Sequence, residues 1–184
     1  MNTSEFLNIT ALIVPERPAI VFDRKTITYE KLVERVNRLA DVLQNAGVSS
    51  GDRVATIQVN CNEHIEAYFA SAQLDAVYVP INFRSTADEI EYMISDSAAK
   101  AVIAGERYIE LVDKIRPNLS SVSVFIGLDE TDETGWLNYE QVIEEASPEG
   151  KFPSGDGEDL TMVMFTAGTT GSPKGVMLSH DSFS

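Results

Sequence analysis

Apolar residues recur along the chain with two alternating spacings, one typical of helices and the other of strands. In residues 29–43 the apolar positions lie three or four residues apart, which predicts an amphipathic helix. The same spacing predicts shorter helices at residues 65–72, 89–94, 108–115 and 139–146. Between the helices, short apolar runs predict strands at residues 54–59, 76–81, 101–104, 122–126, 162–165 and 176–178.

Residues that favour helix ends mark where these helices begin and end. Thr28 is expected to cap the start of the first helix and Gly47 to end it. Thr86 and Glu89 form a capping-box pair, in which each side chain bonds the other residue's backbone N–H. Pro117 is expected to stop the fourth helix. The alternation predicts an α/β fold, with a mainly parallel sheet flanked by helices on both faces.

The chain is strongly acidic, with 14 basic and 29 acidic residues among 184 and a formal net charge of -15. Such a surface repels nucleic acid and anionic lipid, which disfavours both as partners. A nucleotide ligand is still compatible with this negative charge, because salt screens charge over about 8 Å. Hydrogen-bond donors near the phosphates then determine whether they bind. No apolar run is long enough to span a membrane and no secretory signal is recognisable, so a cytoplasmic protein is expected.

The isolated cysteine and histidines give no strong candidate site. Cys61 is the only cysteine, so it forms no internal disulfide. Together with His64 and His180 it provides a weak candidate set of metal ligands. We expect Cys61 to be a buried or half-buried residue rather than a catalytic thiol. His64 is expected to be exposed on a polar helix face rather than catalytic, and His180 to start a helix. Trp136 is expected to anchor packing rather than to line a substrate pocket.

The segment between the last two strands combines residues that bind phosphate. Residues 166–175 contain three glycines, three threonines and one lysine. Glycines let backbone N–H groups approach an anion, threonine hydroxyls donate to phosphate or ligate a phosphate-bound Mg²⁺, and lysine supplies a mobile charge. The candidate phosphate ligands are Thr166, Gly168, Thr169, Thr170, Gly171 and Lys174. Of these, Thr166 is a candidate ligand of a phosphate-bound Mg²⁺.

Two other interpretations of this segment are weaker. A Walker A loop needs glycine, four residues and then Gly-Lys-Ser/Thr, whereas Lys174 follows Pro173 and precedes Gly175. A hairpin without a ligand needs one or two glycines, but it does not need three threonines and a lysine. The sequence therefore favours a phosphate-binding cradle.

Residues 165–175 resemble the signature loop of the adenylate-forming superfamily, which comprises acyl-CoA synthetases, luciferases and the adenylation domains of nonribosomal peptide synthetases. The family pattern is aromatic-Thr-Ser-Gly-Thr-Thr-Gly-any-Pro-Lys-Gly, and this chain departs from it at Ala167, which removes one hydroxyl. The upstream runs 51–55 and 77–82 are also similar to the family. Asp75 departs, since glycine is usual before this alanine.

The resemblance implies ATP-dependent activation of a carboxylic acid. A carboxylate attacks the α-phosphate of Mg·ATP, pyrophosphate leaves, and a thiol takes the acyl group from the acyl-adenylate. The candidate phosphate ligands would then bind the phosphates of ATP, with Lys174 as the candidate catalytic group at the β- and γ-phosphates. Mg²⁺ is the implied cofactor, and ATP and CoA are the implied co-substrates. The run 80–84 looks more like acyl-CoA synthetases, which implies a carboxylic acid such as a fatty acid. Two alternatives stay open: an amino-acid adenylation domain that loads a carrier protein, and a nucleotide-binding module without catalysis.

The resemblance also implies how the chain is organised. Residues 1–184 correspond to the N-terminal portion of the AMP-binding (adenylation) domain. The rest of that domain, with its acidic magnesium ligand, and the C-terminal domain are expected beyond residue 184. We therefore expect no turnover by the 184-residue chain alone, and exposed apolar surface that favours its self-association.

Overall fold

Helices and strands alternate in the computed structural model, which describes residues 1–129, 135–166 and 173–183. The helices are α1 (Thr3–Ile13), α2 (Tyr29–Asn45), α3 (Asn62–Gln73), α4 (Ala87–Asp96), α5 (Glu106–Ile115) and α6 (Tyr139–Glu145), with short 3-10 helices at Arg116–Asn118 and His180–Phe183. The strands are β1 (Pro18–Phe22), β2 (Lys25–Thr28), β3 (Arg53–Ile57), β4 (Val77–Ile81), β5 (Ala101–Ala104), β6 (Val124–Gly127), β7 (Leu137–Asn138), β8 (Leu160–Thr166) and β9 (Lys174–Ser179).

Seven of the described strands form one sheet, in the order β7-β6-β5-β3-β4-β8-β9. β3 pairs in parallel with β4 on one side and with β5 on the other, and β6, β7 and β8 extend the sheet in parallel. β9 is antiparallel to β8 and lies at one edge. The predicted mainly parallel sheet is confirmed.

Helices cover both faces of this sheet. Strand side chains alternate between two buried clusters, so that Val54 belongs to one cluster and its neighbour Ala55 to the other. The first cluster includes residues of α1, α2, α3 and α6, and the second includes residues of α4 and α5. β5 is buried at every position, as expected for a strand covered on both faces. The predicted flanking helices are therefore confirmed.

The predicted helix boundaries are also confirmed. Thr28 Oγ1 accepts a hydrogen bond from the first turn of α2 at 3.3 Å. The Thr86 and Glu89 side chains bond each other's backbone N–H, at 3.4 and 2.8 Å respectively. Gly47 follows α2 with φ of +91°, a left-handed conformation that glycine adopts without strain. Pro117 lies in the 3-10 helix that follows α5.

Two elements near the N-terminus were not predicted from the sequence. α1 has apolar residues on its exposed side, including Leu12 at 84% exposure, so it shows no single buried stripe. β1 and β2 form a two-stranded hairpin that turns at Asp23 and Arg24, both with positive φ. Their side chains are exposed or half-buried, so they lack the apolar alternation of a core strand.

Asp75 occupies a turn that favours glycine, because its φ is +52°. Its carboxylate accepts hydrogen bonds from the backbone nitrogens of Ser154 at 2.8 Å and Gly155 at 3.1 Å. It also accepts one from Asn2 Nδ2 at 3.2 Å. Asp75 thereby holds residues 154–155, in the connection between α6 and β8, against the turn that precedes β4.

A buried charge network joins α2, α3 and α6. Glu66 is fully buried and accepts hydrogen bonds from Arg35 Nε at 2.8 Å, Asn62 Nδ2 at 2.8 Å and the Tyr139 hydroxyl at 2.6 Å. Arg35 also donates two bonds to Glu140, at 2.9 and 2.7 Å. Burial, reinforced by Glu66, raises the pKa of Tyr139 well above its ordinary value, so its hydroxyl stays protonated as a donor.

The predicted roles of Trp136 and Cys61 are confirmed. Trp136 is buried against Phe125, and its Nε1 donates to Asp113 at 2.8 Å. Cys61 is half-buried, and burial raises its pKa to about 12, which disfavours a reactive thiolate. None of the helices in the described part of the chain is long and apolar enough to cross a membrane.

The prediction that His64 is solvent-exposed was wrong. Its ring is half-buried, with Nδ1 2.6 Å from the Tyr78 hydroxyl and Nε2 3.1 Å from the Gln58 carbonyl oxygen. These partners belong to β4 and to the turn after β3. The helical periodicity of α3 contains no information about either contact.

Candidate phosphate-binding site

The two ends of the predicted cradle lie on the hairpin formed by β8 and β9. β8 ends at Thr166 and β9 begins at Lys174, and these residues form the last pair of the antiparallel ladder. Thr166 Oγ1 donates to the carbonyl oxygen of Lys174 at 3.4 Å. The structure thus brings together the two described candidate residues and places Lys174 at the first position of the returning strand.

Four candidate phosphate ligands, Gly168, Thr169, Thr170 and Gly171, lie outside the described residues. Ala167, where the chain departs from the family pattern, also lies outside them. The geometry of these residues around a phosphate therefore stays a prediction.

β8 runs parallel to β4, and its carboxyl end at Thr166 directly precedes the candidate residues 168–171 in the sequence. Tyr78 of β4 lies opposite Met162 of β8, so the residues that follow β4 lie beside the base of the loop. In open α/β sheets, ligands bind at the carboxyl ends of the strands. The hairpin therefore occupies a position in the fold that suits a ligand site.

Aromatic and aliphatic side chains support the base of the loop. The Phe165 ring lies edge-on to Tyr92 of α4, with ring centroids 6.5 Å apart and an interplanar angle of 76°. Phe165 and Val163 pack against the cluster that α4 and α5 cover. Gly175 lies opposite Phe165, and a Cβ added at Gly175 would lie 2.9 Å from Val163 Cγ1. No local sequence pattern identifies Tyr92, because its contact depends on how α4 packs on β8.

Replacing Gly175 by alanine is expected to disturb this support. Since Val163 is short and packed, the new methyl group must displace it, which we expect to lower the free energy of unfolding by about 1 kcal/mol. Urea denaturation measures the change. Gly150→Ala is the matched control, because its added Cβ would meet its nearest neighbour at an ordinary 3.6 Å. Equal effects of both substitutions would show that Gly175 is not needed for close packing.

Lys174 is exposed, and within the described residues no carboxylate forms an ion pair with it. Four other lysines are paired with carboxylates: Lys31, Lys100, Lys114 and Lys151. In a chain with a net charge of -15, an ammonium that pairs with none of the described carboxylates provides local attraction for an anion beside a glycine- and threonine-rich segment. The charge of Lys174 is therefore available to a ligand.

The described residues do not form a complete metal site. They contain no group of three or more acidic, histidine or cysteine side chains that could hold a metal ion. Thr166 contributes a single hydroxyl oxygen. Such an oxygen fits an Mg²⁺ ion that is already bound to phosphates, since Mg²⁺ commonly keeps few protein ligands and takes the rest from phosphate and water.

Two curated relatives align with almost the whole chain. The 3-oxocholest-4-en-26-oate–CoA ligase of Rhodococcus rhodochrous is 32% identical, over 98% of this chain and 33% of its own length. The long-chain-fatty-acid–CoA ligase FadD13 of Mycobacterium tuberculosis is 37% identical, over 98% of this chain and 35% of its own length. The chain thus spans about a third of the length of these relatives.

A solved structure has the same fold. The anthranilate CoA ligase AuaEII in complex with anthranoyl-AMP superimposes with a TM-score of 0.94 at 23% identity, over 98% of this chain and 35% of that one. At this identity the likeness concerns the fold. The family model described as AMP-binding enzyme matches residues 10–184. The chain therefore belongs to the AMP-binding enzyme family.

Proposed function

We propose that this chain is the phosphate-binding N-terminal part of an acid–thiol ligase, which converts a carboxylic acid to its CoA thioester through an acyl-adenylate. The observation that carries the proposal is the β8–β9 hairpin, where Thr166 meets Lys174 at the base of the glycine- and threonine-rich loop. The Lys174 ammonium pairs with no carboxylate in the part of the chain that the structure describes. The activities of the two relatives support the reaction class, since both are CoA ligases.

Each part of the hairpin has a task in this reaction. The negative charge on the β- and γ-phosphates increases as the bond to the α-phosphate breaks, and the Lys174 ammonium stabilises that charge. Backbone N–H groups of residues 168–171 and the hydroxyls of Thr166, Thr169 and Thr170 hold the phosphates in place. A fixed triphosphate keeps the α-phosphate in line with the attacking carboxylate.

Magnesium belongs to the same proposal. When bound to the triphosphate, Mg²⁺ neutralises part of its charge. In this chain, the Thr166 hydroxyl is the candidate ligand, and the acidic ligand that the family uses is expected beyond residue 184.

We further propose a fatty acid as the carboxylic acid and free CoA as the thiol, as in the long-chain relative. In the complete enzyme, ATP–pyrophosphate exchange should depend on an added fatty acid, and CoA should then yield the acyl-CoA. Exchange only with amino acids, followed by transfer to a phosphopantetheinyl carrier protein, would support the carrier-loading alternative. Nucleotide binding without exchange for any acid in the panel would support the module without catalysis.

The 184-residue chain alone is expected to bind pyrophosphate weakly and to release no AMP. Its residues supply the phosphate cradle, whereas the acidic magnesium ligand and the closing domain are expected from the remainder of the enzyme. Carboxylate-dependent release of AMP from labelled ATP by the purified chain measures this. Turnover above a blank without protein would show that the chain contains a complete active site.

A further inference from the structure

The first turn of α1 and the residue that follows β9 meet in a buried polar contact. His180 is 1% exposed, and its Nδ1 lies 3.0 Å from the backbone nitrogen of Thr3 and 3.0 Å from Thr3 Oγ1. Tyr68 of α3 donates its hydroxyl to the same Oγ1 at 2.9 Å. We refer to Thr3, Tyr68 and His180 as the docking cluster. It joins residues that are far apart in the sequence.

The geometry fixes the protonation state of His180. The backbone N–H of Thr3 is a donor that cannot become an acceptor, so the Nδ1 atom it contacts must carry a lone pair. The imidazole is therefore neutral, with its proton on Nε2. Protonation of Nδ1 would place one N–H against another and leave the buried N–H of Thr3 without its acceptor.

Charged groups from four neighbouring positions act on the ring, namely the amino group of Met1 and the carboxylates of Asp75, Asp159 and Asp181. Burial lowers the pKa of His180, and the amino group of Met1 lowers it further, whereas the carboxylates of Asp75, Asp159 and Asp181 act in the opposite direction. The net direction is downward. The neutral form that the contact with Thr3 requires is therefore also the form that the surroundings favour.

The docking cluster also holds the far end of the strand that begins at Lys174. β9 is an edge strand that pairs with β8, and His180 follows its last residue directly. The backbone nitrogen of His180 donates to the Asp159 carbonyl at 3.1 Å, and its side chain provides the contact with α1. Loss of the side-chain contact would leave β9 held mainly by its ladder with β8.

We propose that His180 is a pH-sensitive positioning residue: when neutral it holds the first turn of α1 on the end of β9, and its protonation releases α1. Because β9 begins at Lys174, release of its far end would also alter how Lys174 is held for phosphate binding, and this consequence rests on the proposed function. The docking of α1 does not depend on that function. The pKa of the released histidine is about 6.5, and that of the docked histidine is lower. The docked state is thus fully favoured above about pH 6.5 and loses stability as the pH falls through the docked pKa.

Hydrogen exchange of backbone amides in the 184-residue chain tests the proposal. We expect the protection factors of α1 amides to fall by up to about 30-fold between pH 7.5 and pH 5.0, because pH 5.0 is 1.5 units below the free pKa. Amides of α5, on the opposite face of the sheet, serve as the internal reference for general acid destabilisation. Nitrogen NMR of His180 at pH 7.5 should show an unprotonated Nδ1.

Two variants assign the effect to His180. Asparagine at this position offers an amide oxygen to Thr3 but does not titrate, so His180→Asn should keep α1 protected at both pH values. The chain's other histidine provides the control, and His64→Asn should retain the pH dependence of α1. Unchanged α1 protection in the wild-type chain, equal pH dependence in His180→Asn, or an Nδ1–H tautomer would each overturn the proposal. A different outcome would refute the proposed function alone: α1 protection that depends on pH, together with a complete enzyme that shows no ATP–pyrophosphate exchange with any carboxylic acid.

Discussion

Replacing Lys174 by alanine in the complete enzyme is expected to lower kcat for adenylation by about 10-fold or more, with a smaller change in the affinity for ATP. The ammonium of Lys174 is unpaired in the described structure and lies at the base of the loop. It therefore contributes most when charge accumulates on the departing pyrophosphate rather than when ATP binds. Initial rates of acid-dependent pyrophosphate release, measured across ATP concentrations, separate the two effects.

Two further variants make this result specific to the charge at residue 174. Lys174→Arg keeps a positive charge and should recover part of the lost rate. Lys114→Ala removes an exposed lysine on α5 that pairs with Glu110 at 2.8 Å, and it should leave the rate unchanged. An unchanged rate in Lys174→Ala, or an equal loss in Lys114→Ala, would contradict the assignment of Lys174 to the phosphates.

The second large effect is expected from Arg35→Met, which should lower the free energy of unfolding by about 3–5 kcal/mol. The substitution leaves the carboxylate of Glu66 fully buried, with hydrogen bonds from Asn62 and Tyr139 but without its cationic partner. A buried charge without a counterion is strongly destabilising, whereas an apolar replacement of both partners is tolerated better. Urea denaturation of the variant and the wild-type chain measures the loss.

A double variant separates the unpaired charge from lost packing. Arg35→Met combined with Glu66→Leu should recover a large part of the stability, because no charge then remains buried in the network. Lys31→Met, on the same helix but in an exposed ion pair with Glu34, should have little effect. If the double variant is as unstable as the sum of its single variants, the cost lies in packing and not in the unpaired carboxylate.

The sequence predicted the sheet and most of its helices because each was encoded locally. α2, α4 and α5 combine an apolar stripe with a capping residue or a stop, and β5 is a continuous apolar run. α1 and the β1–β2 hairpin were missed because their apolar side chains are largely exposed. Their positions depend on tertiary contacts, such as that of Thr3 with His180, which no periodicity reveals.

The candidate site was predicted from the composition of residues 166–175. The side chains that pack against its base were not predicted. The glycines, threonines and lysine of residues 166–175 predict a phosphate cradle by their chemistry alone. The edge-on contact of Tyr92 with Phe165 joins α4 to β8 and has no local signal. His180 was correctly predicted to start a helix, but its burial and its contact with Thr3 follow from the fold.

The formation of an acyl-adenylate is the most direct test of the proposed reaction. The complete enzyme would be mixed with a fatty acid and ATP labelled at the α-phosphate, without CoA, and the products separated and identified by mass. We expect acyl-AMP and pyrophosphate in equal amounts, and after addition of CoA we expect acyl-CoA and AMP. Formation of ADP and an acyl-phosphate, or of acyl-CoA without a labelled acyl-AMP, would contradict the account.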